Sequence, residues 1–311
     1  MINLKKVRII GLPYLYGKDS LLRSEAPTVL RKSGLYKAFK IAGISYEDEG
    51  DIEIGAMSAG KSRLYMKLKY LPEILEISKN LAKAVEMTLS ANEIPVVLGG
   101  DHSIAIGSLL GISARKNDIT VVWIDTHGDF HTSKTTPSGR LHGMALALGL
   151  GLDKNFCRLF DPAVNFFDKN KTILFGAHKF DPGERKVIDK NISLIDMTHI
   201  VRHGIGRAVE KLVGEIHTEN IYISLDLDSV DKQYAPGTDM AIDGALTYRE
   251  LIYTLERLSE KFNVAGIDVV ELAPDMDIEG KTANLAIESI TTSLGSRVGV
   301  YELYMDEIDS I

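Results

Sequence analysis

A chain of 311 residues, 45% of them hydrophobic, can bury a large core, and 25% charged residues with a mean hydropathy of +0.00 are ordinary for a globular protein. The formal net charge of −7 weighs against nucleic acid as a partner, because nucleic-acid binding usually needs a basic face. The single cysteine, Cys157, excludes an intrachain disulfide, and neither a signal peptide nor an apolar run of membrane-spanning length is found, so we expect a cytoplasmic protein with no membrane partner.

Short apolar runs alternate along the chain with longer amphipathic segments. Several runs are apolar at consecutive positions, which is typical of strands buried on both faces of a parallel sheet. The predicted strands cover residues 7–11, 44–48, 94–100, 120–125, 172–176, 192–196, 221–226 and 264–272. Helical spacing of apolar residues predicts helices over 207–217 and 247–262. A further helix is predicted in the segment PTVLRKSGLYKAF, with Pro27 in its first turn and Gly43 after its end.

The alternation of strands and helices predicts an α/β protein built on a mostly parallel sheet. We find no linker, low-complexity segment or charge block, so residues 1–311 are interpreted as one domain. The pattern alone leaves two architectures open, an open sheet with helices on both faces and an eight-fold barrel. Both place functional residues at the carboxyl ends of their strands.

Acids and histidines follow three of the predicted strands, and a fourth strand carries two acids. In chain order these residues are Asp101, His102, Asp125, His127, Asp129, Asp226, Asp228, Asp268 and Glu271. Residues two apart in an extended segment project to the same side, so the members of Asp-x-His-x-Asp can converge, and so can those of Asp-x-Asp. Of the neighbours Asp101 and His102, at most one can point toward the same cluster.

Four carboxylates and two imidazoles, with His102 included, form a candidate site for divalent cations. Clustered carboxylates repel each other and have raised pKa values unless cations neutralise them. One divalent ion would leave excess negative charge, whereas two ions that share bridging carboxylates would balance the charge of the four carboxylates. Such a pair of ions can also activate a water molecule near neutral pH. The ligands fit Mn, Fe, Co, Ni or Zn. One acid after a strand is more often a helix cap or turn residue, but the two motifs together favour a metal site.

These segments resemble the ureohydrolase family of arginases, agmatinases and formiminoglutamases, and they are most similar to arginases. Three of them resemble the metal-binding signatures of that family: GGDHSIAIGS (99–108), WIDTHGDFHT (123–132) and SLDLDSVD (224–231). Four others look arginase-like: EAPTVLRKSGL (25–35), SGRLHG (138–143), FDPGE (180–184) and GALTYRE (244–250).

The resemblance implies a fold, a reaction and an assembly. The fold would be one domain with a central parallel sheet of about eight strands flanked by helices, which decides against the barrel. The enzyme would use a metal-bridging hydroxide to cleave the guanidinium C–N bond of L-arginine or agmatine, giving urea and an amine. Such an activity belongs to arginine metabolism and polyamine biosynthesis. The family usually binds two manganese ions per chain and usually forms homo-oligomers, either trimers or hexamers.

The resemblance also implies which residues hold each metal. One ion would be held by His102, Asp125, Asp129 and Asp226. The other would be held by Asp125, His127, Asp226 and Asp228. In this arrangement Asp125 and Asp226 bridge the two ions.

Further residues match catalytic and substrate-binding positions of the family. Asp129 would also carry the proton of the nucleophile to the leaving amine. Glu271 would bind the guanidinium, and His142 would be a proton shuttle at the mouth of the pocket. Asp181 matches a residue that meets the substrate α-amino group in arginases, and Ser138 matches one that helps to hold the α-carboxylate.

The sequence departs from the arginase pattern only in the outer pocket. His131 and Arg140 stand where arginases usually have Asn, and they favour an amino-acid or dicarboxylate substrate. Asp239 replaces a Gly and offers a partner for a bare cation, as in agmatine, while Met240 replaces a pocket Thr. Lys179 stands where arginases often have a second acid beside Asp181.

Three other functions are weighed against the leading one. Formiminoglutamase, or hydrolysis of another guanidino acid, would use the same centre. A metal-dependent deacetylase of related fold is disfavoured by Glu271 and by the two-metal ligand set, since deacetylases keep a single site. A metal-binding scaffold without activity is disfavoured because the ligands, His142 and Glu271 are all present.

Overall fold

Eight parallel strands form a single sheet in the structure, a computed structural model that describes residues 5–20, 22–53, 67–114 and 118–296. In chain order the strands are β1 (Val7–Leu12), β2 (Tyr46–Asp51), β3 (Ile94–Gly99), β4 (Ile119–Ile124), β5 (Thr172–Phe175), β6 (Ser193–Ile195), β7 (Asn220–Asp226) and β8 (Asn263–Val270). Their spatial order is β2-β1-β3-β8-β7-β4-β5-β6, and every neighbouring pair is parallel. The predicted parallel sheet of about eight strands is therefore confirmed.

Eleven α-helices are found among the described residues. They are α1 (Ala26–Leu30), α2 (Tyr36–Ile41), α3 (Leu71–Ser90), α4 (Ala105–Ala114), α5 (Ala145–Gly149), α6 (Lys154–Cys157), α7 (Glu184–Asn191), α8 (Met197–His203), α9 (Ile205–Glu215), α10 (Tyr248–Lys261) and α11 (Lys281–Ser293). In that part of the chain, no helix has the length and apolar composition needed to cross a membrane.

The sheet is the middle of three layers. Its residues pack on one side against a core formed with α3 to α7, and on the other side against a core formed with α1, α2 and α8 to α11. Strands β3 and β4 are buried along their whole length, as their consecutive apolar residues predicted. Helices cover both faces, and in the described part of the chain β2 and β6 end the sheet without pairing with each other, so the sheet is open and the barrel alternative is excluded.

Two predicted elements differ from the observed ones near the chain start. The helix predicted after Pro27 is divided into α1 and α2 by a π-helical turn at Arg31–Leu35, where Gly34 has a φ of 114° that a continuous helix cannot contain. Strand β2 begins two residues later than predicted and ends at Asp51. Among the described residues it is an edge strand whose one partner is β1, so its polar sequence lacks the apolar signal of the inner strands.

The strand order brings the predicted site residues together. The four central strands are β3, β8, β7 and β4, and these are the strands that the clusters of acids and histidines follow. Because all strands run in the same direction, their carboxyl ends lie at the same edge of the sheet. The chain therefore gathers at that edge polar residues that are up to about 170 positions apart, as in the contact between His102 and Glu271.

Candidate metal centre

The first group of candidate ligands surrounds the ring of His102, which lies in a 3-10 turn just after β3. Its Nδ1 atom is 3.1 Å from Oδ2 of Asp125, 3.3 Å from Oδ2 of Asp129 and 3.1 Å from Oδ2 of Asp226. All four residues are buried. The ligand atoms of His102, Asp125 and Asp129 lie within 4.8 Å of one another, which is close enough for them to bind one cation.

A second group lies beside the first and shares one residue with it. Nδ1 of His127 is 3.1 Å from Oδ2 of Asp228 and 3.6 Å from Oδ1 of Asp125. The two oxygens of Asp125 thus face different groups, which is the arrangement of a bridging carboxylate. Asp226 lies with the first group through Oδ2, while its Oδ1 accepts the backbone N–H of Asp228 at 2.7 Å.

The charges in this centre are those of a cation site. Burial and the neighbouring carboxylates raise the pKa of Asp129 and of Asp226 well above the ordinary value. Burial alone would lower the pKa of His127, but hydrogen bonds to Asp125 and Asp228 raise it to about 12. Oδ1 of Asp228 is buried with no hydrogen-bond partner among the described residues. Mixed carboxylate and imidazole donors with an unpaired buried oxygen fit divalent cations.

A second layer of contacts fixes the orientation of the ligands. The ring of His102 stacks on Trp123, with centroids 4.1 Å apart, and its Nε2 lies 3.0 Å from Oγ of Ser224. The indole N–H of Trp123 donates to Oδ2 of Asp125 at 3.0 Å. Such contacts hold a histidine and a carboxylate in one orientation before a metal binds. Asp101 does not join the ligands; its oxygens accept the backbone N–H groups of Gly17 and Ser103 instead.

Two residues of the site have backbone conformations that are uncommon for side chains other than glycine. Asp129 has a φ of 49° and Glu271 has a φ of 70°. The left-handed region costs a non-glycine residue on the order of 1 kcal/mol, and such residues cluster at functional sites. Both conformations lie where the chain turns away from a central strand, and they aim the two carboxylates at the same edge of the sheet.

Glu271 connects the centre to the turn after β1. Its Oε1 accepts the backbone N–H of His102 at 2.8 Å and lies 3.9 Å from Nδ1 of His142, while its Oε2 forms an ion pair with Lys18. Burial would raise the pKa of Glu271, but the charge of Lys18 and the nearby His142 ring outweigh burial and lower it to about 2. The carboxylate is therefore ionised, with the ammonium of Lys18 on one side and the ring of His142 on the other.

Beside the candidate ligands lies a cavity of about 540 Å³. All the substrate-binding and catalytic residues predicted from the sequence line it: Asp129, His131, Ser138, Arg140, His142, Asp181 and Glu271. Asp239, in contrast, is paired with Lys18, so it does not present a free carboxylate to a substrate cation.

The mouth of the cavity carries both acidic and basic side chains. Nε2 of His131 lies 2.8 Å from Oδ2 of Asp181, so two predicted substrate-binding residues pair with each other. Arg140 and Lys179 are exposed and line the same cavity, and the exposed Met240 adds an apolar surface. An anionic group on a ligand would find two basic side chains here.

Sequence reasoning missed three residues near the cavity. Glu184 is buried in the cavity wall and accepts the backbone N–H groups of Phe130 and Asp181. In the sequence, its one sign of a role was its position as the last residue of the arginase-like segment FDPGE. His178 also lines the cavity, although its position in the sequence carries no ligand-like spacing. Lys18 belongs to no motif, and only the folded turn brings it to Glu271.

Comparisons with known proteins agree on one family. The sequence profile of the arginase family matches residues 5–295. The arginase of Staphylococcus aureus (strain MRSA252) is 34% identical over 300 residues, which are 95% of this chain and 99% of that protein. The native arginase structure from Bacillus caldovelox at pH 5.6 superposes with a TM-score of 0.87 at 32% identity, covering 95% of this chain and 100% of that one.

A more distant structure shares the fold. The agmatine ureohydrolase of Thermoplasma volcanium superposes with a TM-score of 0.71 at 22% identity, covering 97% of this chain and 92% of that one. The family profile and the nearly complete coverage by the bacterial arginases settle the class of protein. The chain belongs to the arginase family and is an enzyme of the ureohydrolase type.

Proposed function

We propose that the protein hydrolyses the guanidinium C–N bond of L-arginine, giving urea and ornithine, at a centre of two divalent cations. The observation that supports this most directly is the pair of ligand groups that share Asp125 and lie beside one cavity with Glu271. A guanidinium is a poor electrophile because its charge is delocalised. It needs a strong nucleophile, an acid for the leaving nitrogen and a carboxylate that fixes its plane.

The two cations, proposed to be manganese, would each be held by one of the described groups, with Asp226 proposed to serve both. The first site consists of His102, Asp125, Asp129 and Asp226, and the second of Asp125, His127, Asp226 and Asp228. When bound, such a pair lowers the pKa of a water molecule so that it can attack near neutral pH.

The protein side chains supply the remaining steps. Glu271, buried and ionised, would accept hydrogen bonds from the guanidinium and orient its carbon toward the ligand cluster. The carboxylate of Asp129 would take a proton from the attacking water and deliver it to the leaving nitrogen. His142, with its side chain 25% exposed at the cavity, would exchange the remaining proton with solvent.

The outer cavity supports a substrate that carries a carboxylate. Arg140 and Lys179 offer two cations at the mouth, where the α-carboxylate of arginine would lie, and Ser138 adds a hydroxyl. Asp181 would meet the α-amino group if His131, its present partner, exchanges that contact for the substrate. Agmatine lacks the carboxylate, and the pairing of Asp239 with Lys18 removes the acid that could have favoured it.

Urea release from three matched compounds tests this function. L-Arginine, agmatine and 5-guanidinopentanoate share the guanidinium and its carbon chain, but the second lacks the carboxylate and the third lacks the α-amino group. With manganese-loaded protein we expect L-arginine to have the highest kcat/KM, and 5-guanidinopentanoate to be cleaved better than agmatine because it keeps the carboxylate.

The same assay distinguishes the alternatives. Urea from agmatine alone would show that the basic mouth does not select the substrate. Formamide from formiminoglutamate, without urea from any of the three compounds, would identify a formiminoglutamase, and acetate from an acetylated amine would identify a deacetylase. Metal-loaded protein that releases none of these products would be a scaffold without activity. A homo-oligomer, trimer or hexamer, stays a proposal that light scattering can test independently.

A further inference from the structure

Lys18 lies in a short turn that is built onto the site. The 3-10 turn Tyr16–Lys18 follows β1, and the N–H of Gly17 donates to Oδ2 of Asp101 at 2.8 Å. A Cβ atom on Gly17 would lie 2.2 Å from Oδ1 of Asp101, so only glycine allows this approach. The other oxygen of Asp101, Oδ1, accepts the N–H of Ser103, which lies in the same turn as His102. One buried carboxylate therefore fixes the Lys18 turn relative to the candidate ligands.

The ammonium of Lys18 lies between two acids of very different exposure. It contacts Glu271, whose side chain is 5% exposed, and Asp239, whose side chain is 45% exposed. The Lys18 side chain itself is only 11% exposed. A lysine this buried is stable only when paired. Both carboxylate oxygens of Glu271 therefore already have a partner. Oε1 accepts the backbone N–H of His102, and Oε2 forms the ion pair with Lys18.

This arrangement places a tethered cation where a substrate cation must bind. A guanidinium that binds Glu271 competes with the ammonium of Lys18. Because Lys18 is attached to a short turn beside Glu271, its effective concentration there is set by the fold and not by the solution. Asp239 offers the displaced ammonium a second partner that it already contacts, so displacement does not leave a buried charge unpaired.

Hydrolysis changes the outcome of this competition. Water gives its oxygen to the guanidinium carbon, the C–N bond breaks, and both water protons end on the leaving nitrogen as an ammonium. The group left beside Glu271 is urea, which is neutral. A neutral group holds a carboxylate much less strongly than an ammonium does.

We propose that Lys18 is a positioning residue that acts as a tethered competitor for Glu271: it yields to the guanidinium by moving to Asp239, and it returns to expel urea after cleavage. This inference rests on the proposed function. Lys18 would raise KM for every guanidinium substrate and weaken the binding of the urea product, with no direct part in breaking the C–N bond.

The test compares Lys18→Met with two other variants in manganese-loaded protein. We expect Lys18→Met to lower KM for L-arginine roughly fivefold, to strengthen inhibition by urea by a similar factor, and not to raise kcat. Asp239→Asn should act in the opposite direction and raise KM, because it removes the alternative partner of Lys18. Lys69→Met is the matched control, since Lys69 pairs with Asp19 beside the same turn and should leave KM and urea inhibition unchanged.

Each other outcome overturns the inference. An unchanged or higher KM in Lys18→Met, the same shift in Lys69→Met, or a lower KM in Asp239→Asn would show that Lys18 is not a competitor. Lys18→Gln gives the same comparison if the methionine variant fails to fold. If the protein releases no urea from any guanidino compound, the proposed function fails separately. Calorimetric binding of guanidinium chloride at low concentration to wild type and Lys18→Met then decides the competition, and equal affinities would overturn it.

Discussion

A buried carboxylate outside the candidate ligand groups lies next to the residue that contacts His102. Oδ1 of Asp268 accepts the hydroxyls of Ser108 and Tyr222, and Ser224, the register partner of Asp268 on β7, lies 3.0 Å from Nε2 of His102 through its Oγ. Burial raises the pKa of Asp268 to about 6, although the hydrogen bonds from Tyr222 and Ser108 act to lower it. Of the two acids predicted on β8, this one therefore lies beneath the site and does not line it.

The raised pKa of Asp268 predicts a pH-dependent cost to stability. An acid whose pKa is higher in the folded state binds its proton more tightly there than in the unfolded chain. Its protonation therefore stabilises the folded state fully at pH values below the unfolded pKa, near 4. This contribution to stability is lost as the pH rises through the folded pKa of about 6. Relative to Asp268→Asn, which cannot titrate, the wild-type free energy of unfolding should fall by about 2–3 kcal/mol between pH 4 and pH 7. Urea denaturation of both proteins measures this difference, and a difference that is constant with pH would contradict the assignment.

Asp228 gives a sharper test of the ligand groups at the same scale. Its Oδ1 has no partner among the described residues and its Oδ2 faces His127, so Asp228→Asn should weaken the second cation site and leave the first intact. We expect bound manganese to fall by about one ion per chain and urea release to fall at least about 100-fold. Metal analysis by mass spectrometry after gel filtration measures the loss. Asp231→Asn, at the same strand end but outside both groups, is the control, and an equal loss there would refute the selective role of Asp228.

At the scale of elements, the chain contains strong signals for buried strands and weak ones for edges and turns. Strands β3 and β4 are apolar at consecutive positions because both faces are covered, so composition alone predicts them. The edge strand β2 is partly exposed and polar, and its bounds follow from pairing with β1 instead. The turn that carries Lys18 had no signal, because its position depends on a contact with Asp101, 84 residues later in the chain.

Helix α10 offers a prediction about an element that follows directly from its sequence. Thr247 accepts the N–H of Glu250 and the Glu250 side chain accepts the N–H of Thr247, which is a capping box. Thr247→Ala should lower the free energy of unfolding by about 1 kcal/mol, because two N–H groups at the helix start lose a defined cap. Thr247→Ser keeps the hydroxyl and should cost much less. Chemical denaturation compares the two, and equal losses would show that the hydroxyl is not the stabilising group.

For the whole molecule, the sequence predicts which residues meet but not how they pair. Parallel strands end at one edge of the sheet, so the acids and histidines after β3, β4 and β7 had to converge. The sequence could not show that Asp125 turns one oxygen toward each group, or that Glu271 is already held by Lys18. It also could not show the pairing of His131 with Asp181, because side-chain partners across a cavity depend on loop conformations that no local pattern fixes.

We propose that urea release requires two cations, one in each of the two ligand groups that share Asp125. A titration of metal-free protein with Mn²⁺, with urea release from L-arginine followed at each step, decides whether it does. We predict that the rate rises steeply and saturates at about two equivalents of Mn²⁺ per chain, since both groups must be filled. Saturation at one equivalent would contradict the shared centre, and no urea at any stoichiometry, with two ions bound, would contradict the proposed reaction.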